Sequence, residues 1–373
     1  MTTDNQPPSE SGASEVLREL SGVDDVQARS IVNMWREWQI TEVLDTITEL
    51  QRAAETDRSL EFDSLFRAAT SFPVPEVRLE SVRALSEGGS FKIAQSLIAV
   101  LERDEVSEIR AAAAQSLHGF SDPAQSRNVS KSALTRIANS LRNALHVDEP
   151  MVRGKSLIAL AALHDDEAAD LIDTMFDEAV GTAPLMADVL TAMGETNDRS
   201  WLPTIEDAFF SNDPIVRIAA VLAFGKIGSD DDVESLSEPF DDHTLEVQIA
   251  TVNALQNIGS PQAREMLGIA AEDSSEPAVQ QTAQAALDFL KAEDDLIYAI
   301  SPTMVERGLF GVPTAGQTPT RDMSRYDAPT EEGWANVDPE GEERDAAEVP
   351  DDIGEDYEDY LESDEFFRDS NTN

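Results

Sequence analysis

The chain has 373 residues, in which 74 Asp and Glu face 27 Lys and Arg for a net charge of −47. Hydrophobic residues supply 41% of it, enough to build a sizeable core, so disorder throughout is excluded. Phosphate backbones and anionic lipid surfaces bind through clustered Lys and Arg, and the acid excess therefore argues against nucleic-acid and membrane partners.

The absence of cysteine removes disulfides, thiolate nucleophiles, cysteine-type zinc sites and iron–sulfur clusters together. The acid is spread along the chain: residues 301–373 hold 21 acids and 5 bases, leaving 53 and 22 in residues 1–300. So even a bias predicts adaptation to solvent. Self-repulsion is tolerated where salt is molar and the Debye length is about 3 Å, so the composition is that expected of a salt-in halophile, a haloarchaeon. The polar run Met1 to Gly12 lacks a signal-peptide pattern, and no stretch approaches the roughly 18 apolar residues of a membrane span, so a cytoplasmic location is expected.

Residues 1–13 carry no periodic signal and are expected to be disordered. Apolar periodicity predicts helices over Ser14 to Leu20, Gln27 to Trp38, Thr41 to Ala54 and Phe62 to Thr70. They lack the signature that follows, so residues 14–72 are expected to form a helical cap or degenerate repeats, carrying Trp35 and Trp38.

From residue 73 the chain repeats. Segments align around Arg78, Arg110, Arg153, Met186, Arg217, Gln248 and Gln280, at spacings of 32, 43, 33, 31, 31 and 32 residues. The position before each anchor, Val77, Ile109, Val152, Leu185, Val216, Val247 and Val279, is apolar in all seven. Seven residues after the anchor stand Leu85, Leu117, Leu160, Met193, Phe224, Leu255 and Leu287, each preceded by Ala or Ser. Apolar residues eight apart share one helical face, and the small neighbour lets a second helix approach closely. Pro75, Pro150, Pro214 and Pro277 mark the first turn, where a missing N–H costs nothing, with Asp213 and Ser274 or Ser275 as caps.

Glycines at Gly88-Gly89, Gly194, Gly228 and Gly259 predict the ends of these helices. A second apolar-periodic stretch follows in each unit, as in Phe91 to Leu101, Ala168 to Phe176, Trp201 to Phe210 and Ala263 to Ala270. The 43-residue spacing predicts an insertion between Ser121 and Pro150, with a longer second helix over Ser130 to Leu145.

The segment Asp213 to Gly228, with Pro75-Glu76-Val77-Arg78 and Ala84-Leu85, resembles HEAT repeats, and more closely the short HEAT-like repeats of the phycobilisome-lyase (PBS-lyase) type. The resemblance spans Pro73 to Leu290, and the unit at Met186 departs most, lacking the Arg and placing Pro184 one residue late. It implies an all-α fold, a right-handed solenoid of stacked helical hairpins over residues 73–298, about seven units, with an N-terminal helical cap. Residues 299–373, rich in Pro, Gly, Thr and acid, are expected to be a disordered acidic tail. Near its end Tyr357, Tyr360, Phe366 and Phe367 punctuate the acid, either as a segment that folds onto a partner or as incidental aromatics of a halophilic tail.

Catalytic chemistry is hard to find. HEAT-like hydroxylases of the deoxyhypusine hydroxylase family carry recurring His-Glu pairs for a di-iron centre, but none of the four histidines here precedes a Glu. His164-Asp165-Asp166-Glu167 lies at an inter-helix turn, where acids serve as helix caps more often than as metal ligands. Gly154-Lys155-Ser156 lacks the upstream glycine of a phosphate loop and falls inside a helix. No catalytic, cofactor or metal residue is nominated, and no cofactor is expected.

The recurring Arg78, Arg110, Arg153 and Arg217 are expected to pair with acids of the adjacent unit rather than to form an anion ladder. Second helices of such solenoids line a concave face, and here they carry Glu206, Asp207, Glu234, Glu238, Asp241, Glu265 and Glu272, with Arg264 as the exception. The expected function is a non-catalytic scaffold or adaptor binding a protein or peptide. Its candidate contacts are Trp201, Glu206, Asp207, Phe210, Glu234 and Glu238, with Tyr357, Tyr360, Phe366 and Phe367 in the tail; Phe209 is core or contact. The resemblance also allows a bilin lyase or its chaperone subunit, or an adaptor in archaeal signalling or motility.

Overall fold

The computed structural model describes residues 16–306 apart from 87 and 128, with side chains described through 295. Among the described residues there is no strand. A short helix α1 at 16–20 leads into α2 (Asp25–Trp35), α3 (Ile40–Thr56) and α4 (Asp63–Ala69). Six helical pairs follow. The first helices are α5 (Pro75–Ala84), α7 (Ser107–Leu117), α10 (Pro150–Ala162), α12 (Ala183–Glu195), α14 (Pro214–Ile227) and α16 (Leu245–Ile258).

Their second helices are α6 (Phe91–Arg103), α9 (Lys131–Val147), α11 (Ala168–Glu178), α13 (Leu202–Asp207), α15 (Ser237–Phe240) and α17 (Pro261–Asp273). The insertion takes the form of a 3₁₀ turn, His118–Ser121, and α8 (Pro123–Ser126) before α9. Two second elements are broken: α13 is flanked by 3₁₀ segments, and Asp230–Leu236 is 3₁₀ ahead of α15. There the run Ser229 to Asp232, which reads as a turn, begins the 3₁₀ segment through a capping box. The last helix, α18 (Pro277–Glu306), continues past the end of the apolar period, because no glycine or proline interrupts residues 278–301. No second helix follows it among the described residues.

The first helices stack each on the next, and the second elements pack against them as a second, less enclosed layer, the outer one in burial, which makes the chain a HEAT-like solenoid. Helix α3 extends the first layer by packing on α5, so the N-terminal helices join the stack. All seven residues before the anchors are buried, none above 6% exposure, and each fully buried side chain of this kind stabilises by roughly 1.5–3 kcal/mol. Proline starts α5, α10, α14 and α18, and the Asp213 carboxylate caps α14 by accepting from Ile215 N at 2.9 Å. Ser274 Oγ accepts from Glu276 N ahead of α18.

One of the expected helix ends fails. Gly194 does not end its helix but sits inside α12, where a Cβ would come within 2.8 Å of Ala223 Cα on the next first helix. Gly225 repeats the device one unit on, with Ala254 Cα 2.5 Å from the missing Cβ. These glycines are there for backbone approach, whereas Gly259 does close α16 in the left-handed region, at φ 61°.

Candidate protein-binding surface

The repeated arginines are spent inside the fold. Arg78 donates Nε and Nη2 to the Asp104 carboxylate at 2.7 and 2.9 Å and Nη1 to Phe72 O at 3.2 Å. Arg110 grips Asp148 at 2.8 and 2.6 Å and Asp104 O at 2.8 Å. Arg217, 5% exposed, holds Asp242 at 2.7 and 3.0 Å, Thr244 Oγ1 at 2.9 Å and Ser211 O at 2.9 Å. Arg153 donates to Leu145 O and pairs with Glu178.

The acids therefore come from the end of each unit's own second element, not from the adjacent unit as expected. The next unit is tied in through the backbone: Asp104 O accepts from Arg110, and Asp242 O accepts from Gln248 Nε2 at 2.6 Å. One aspartate thus links two repeats. Its sequence signal, an Asp six residues before the next anchor, is visible at Asp104 and Asp242. Burial alone would raise these carboxyls, but the forked guanidinium and a backbone N–H hold Asp104, Asp148 and Asp242 below the usual carboxylate range. The Met186 unit uses another joint: Lys155 Nζ reaches Asp188 at 2.8 Å, in space that Gly154 leaves open, and burial pushes the Asp188 carboxyl up.

Two open depressions hold polar side chains. One, of about 590 Å³, lies at the C-terminal ends of first helices and is lined by Ser121, His164, Glu195, Asn197, Lys226 and Asn257 among others. Glu195 there pairs with Lys226, and His118 Nε2 approaches it to 3.2 Å off the hydrogen-bond line. Burial would raise the Glu195 carboxyl, yet its contacts with His118 and Lys226 hold it below its ordinary value, and the side chain bridges the 3₁₀ turn, α12 and α14. His164 and Asn197 both adopt left-handed φ, 52° and 56°, at helix ends. Asp165 is held by Arg142 and accepts from Glu167 N, so the acids of that turn cap and pair. The other depression, about 540 Å³, lies beside Asp25, Asp63, Arg67 and Lys92, with Asp25 paired to both cations. Among the described residues no three His, Asp or Glu converge as metal ligands.

The candidate contacts lie on the outer layer. Glu206 and Asp207 close α13, Glu234 lies in the 3₁₀ segment and Glu238 in α15, and none makes an ion pair with a described residue. Asp207, Glu234 and Glu238 are exposed and Glu206 half-buried. Phe210 is 68% exposed, whereas Phe209 is core, edge-on to Phe224 at 5.5 Å. Trp201 is half-buried, and its indole N–H is enclosed without an acceptor. The structure therefore spreads these residues over two consecutive second elements, with Trp201 and Phe210 at opposite ends of one. Tyr357, Tyr360, Phe366 and Phe367 lie outside the described residues, as does most of the expected tail. Missed by the sequence reading were the exposed apolar residues Val147, Met151, Val180 and Ile215, at unit boundaries.

No helix among the described residues is long and apolar enough to cross a membrane. No protein-family profile matches the chain, and no curated protein matches it. Among solved structures, the complex of CpcE and CpcF of phycocyanin lyase from Nostoc sp. PCC7120 is similar at 18% identity, covering 61% of this chain and 94% of that one, with a TM-score of 0.44. Human deoxyhypusine hydroxylase in complex with glycerol is similar at 14% identity, covering 70% of this chain and 99% of that one, with a TM-score of 0.30.

Proposed function

We propose that the chain is a non-catalytic scaffold or adaptor whose outer layer, within residues 73–298, holds a protein or peptide partner. The observation that supports this is a division of charge. Acids that close the units, Asp104, Asp148 and Asp242, are consumed by arginines, while the exposed Asp207, Glu234 and Glu238 and the half-buried Glu206 make no ion pairs among the described residues. A partner for such a layer is locally basic or mixed in charge. Carboxylate-directed cross-linking of the full chain in extract at molar salt, read by mass spectrometry, is expected to join one recurrent protein to α13 and α15; cross-links confined to residues 307–373 would defeat the reading.

The same proposal includes a haloarchaeal, cytoplasmic setting, supported by the net charge of −47. Loss of helicity on lowering salt from molar to millimolar is the expected mark of that setting. The bilin-lyase alternative is supported only by the PBS-lyase-type motif at Asp213 to Gly228. Incubation with a bilin and a cysteine-bearing acceptor tests it, and a chromophore shift would replace the scaffold reading with an enzymatic one.

A further inference from the structure

The second residue of each first helix is exposed and occupies one register in every pair. In the outer pairs it is Glu76, Glu108 and Glu246; in three consecutive central pairs it is Met151, Pro184 and Ile215. A helix N-terminus favours an acid, because its free N–H groups and dipole stabilise negative charge, so helix stability accounts for Pro184, a first-turn proline, but not for Met151 and Ile215. The boundaries leading into the same three helices add Val147, Val180 and Phe210, exposed by 83%, 72% and 68%. Helices α10, α12 and α14 pack side by side, and packed helices lie about 8–10 Å apart, so the six side chains line one edge of three adjacent units. In a chain so rich in acid, exposed apolar side chains gathered along one edge are the mark of an interface.

We propose that this edge docks an amphipathic segment of a partner protein, apolar on the face it inserts and ringed by lysine or arginine. The proposal rests on the scaffold reading and adds the place and chemistry of contact. Charge selects the occupant: Glu76 and Glu108 flank the row on one side and Glu246 on the other, with Glu149 exposed within it. A second copy would set these glutamates against its own at the contact itself, where charges shielded from water are screened least.

The test uses the full chain at molar salt and two fluorescent peptides of the same leucine and lysine composition, one patterned as an amphipathic helix and one with its leucines scattered. The patterned peptide is expected to bind about tenfold tighter. Met151→Glu with Ile215→Glu is expected to lose that advantage while folding normally, since Glu fills the same register in three other pairs. The double variant is more negative than the parent, so binding by charge alone would tighten. Equal binding of the two peptides, or unchanged or tighter binding by the variant, overturns the proposal. So does a parental dimer in light scattering that the variant renders monomeric, which would make a second copy the occupant. Loss of binding in E206Q/D207N/E234Q/E238Q, with the double variant unaffected, sinks the edge and leaves the scaffold reading standing.

Discussion

Helix α14 buries nine of its 14 residues, Arg217 and Gly225 among them, while α17 buries three of 13. The two belong to the two layers of one solenoid, and the contrast shows how the work is divided. First helices are enclosed by a neighbour on either side and by the second layer, so they need small residues, interlocking charge and nearly continuous apolar surface. Second helices need one apolar stripe and leave the rest of their circumference open. Substitution should therefore be costly in the inner layer and cheap in the outer one.

The sharpest check is Phe224→Ala, which empties a fully buried position edge-on to Phe209; a loss of about 4 kcal/mol in chemical denaturation is expected. Next comes Arg217→Ala, which strands the Asp242 carboxylate in its partly buried site, for about 3 kcal/mol. The pH dependence has a defined sign. Asp104, Asp148 and Asp242 have folded-state pKa values below their unfolded ones, so the stability they contribute is present above the ordinary carboxylate range and is lost as pH falls through the lower folded values. Acid titration followed by circular dichroism should show this loss, and Asp242→Asn should reduce it.

Gly225→Ala is a finer test, because helix propensity favours alanine by about 1 kcal/mol. Steric conflict with the Ala254 backbone should outweigh that gain and leave a net loss of about 1–2 kcal/mol; a stabilised variant would mean that the inner helices can separate without penalty. Smallest of all, Glu265→Gln with Glu272→Gln in α17 should change stability by less than about 0.5 kcal/mol, and a larger effect would break the division between layers.

Much of this was legible in the residues alone. Seven in-register apolar sites and four prolines were enough to place the first helices, because a helix that must bury one stripe repeats that stripe in its sequence. Outer elements were less legible: Trp201 to Phe210 reads as one helix and folds as three short segments, since Pro203 and local packing break a period too short to enforce itself. The candidate contacts Glu206, Asp207, Glu234 and Glu238 could be assigned to the second layer from order along the chain, but not their lack of ion pairs.

The sequence by itself determined the helical class, the repeat and the enclosed inner face, because periodicity and burial are properties of a single segment. Only the tertiary structure decided which acid each arginine holds, why Gly194 and Gly225 are glycines, and that Met151, Pro184 and Ile215 share an edge. Those are relations between segments some thirty residues apart, and they exist only once the helices stack.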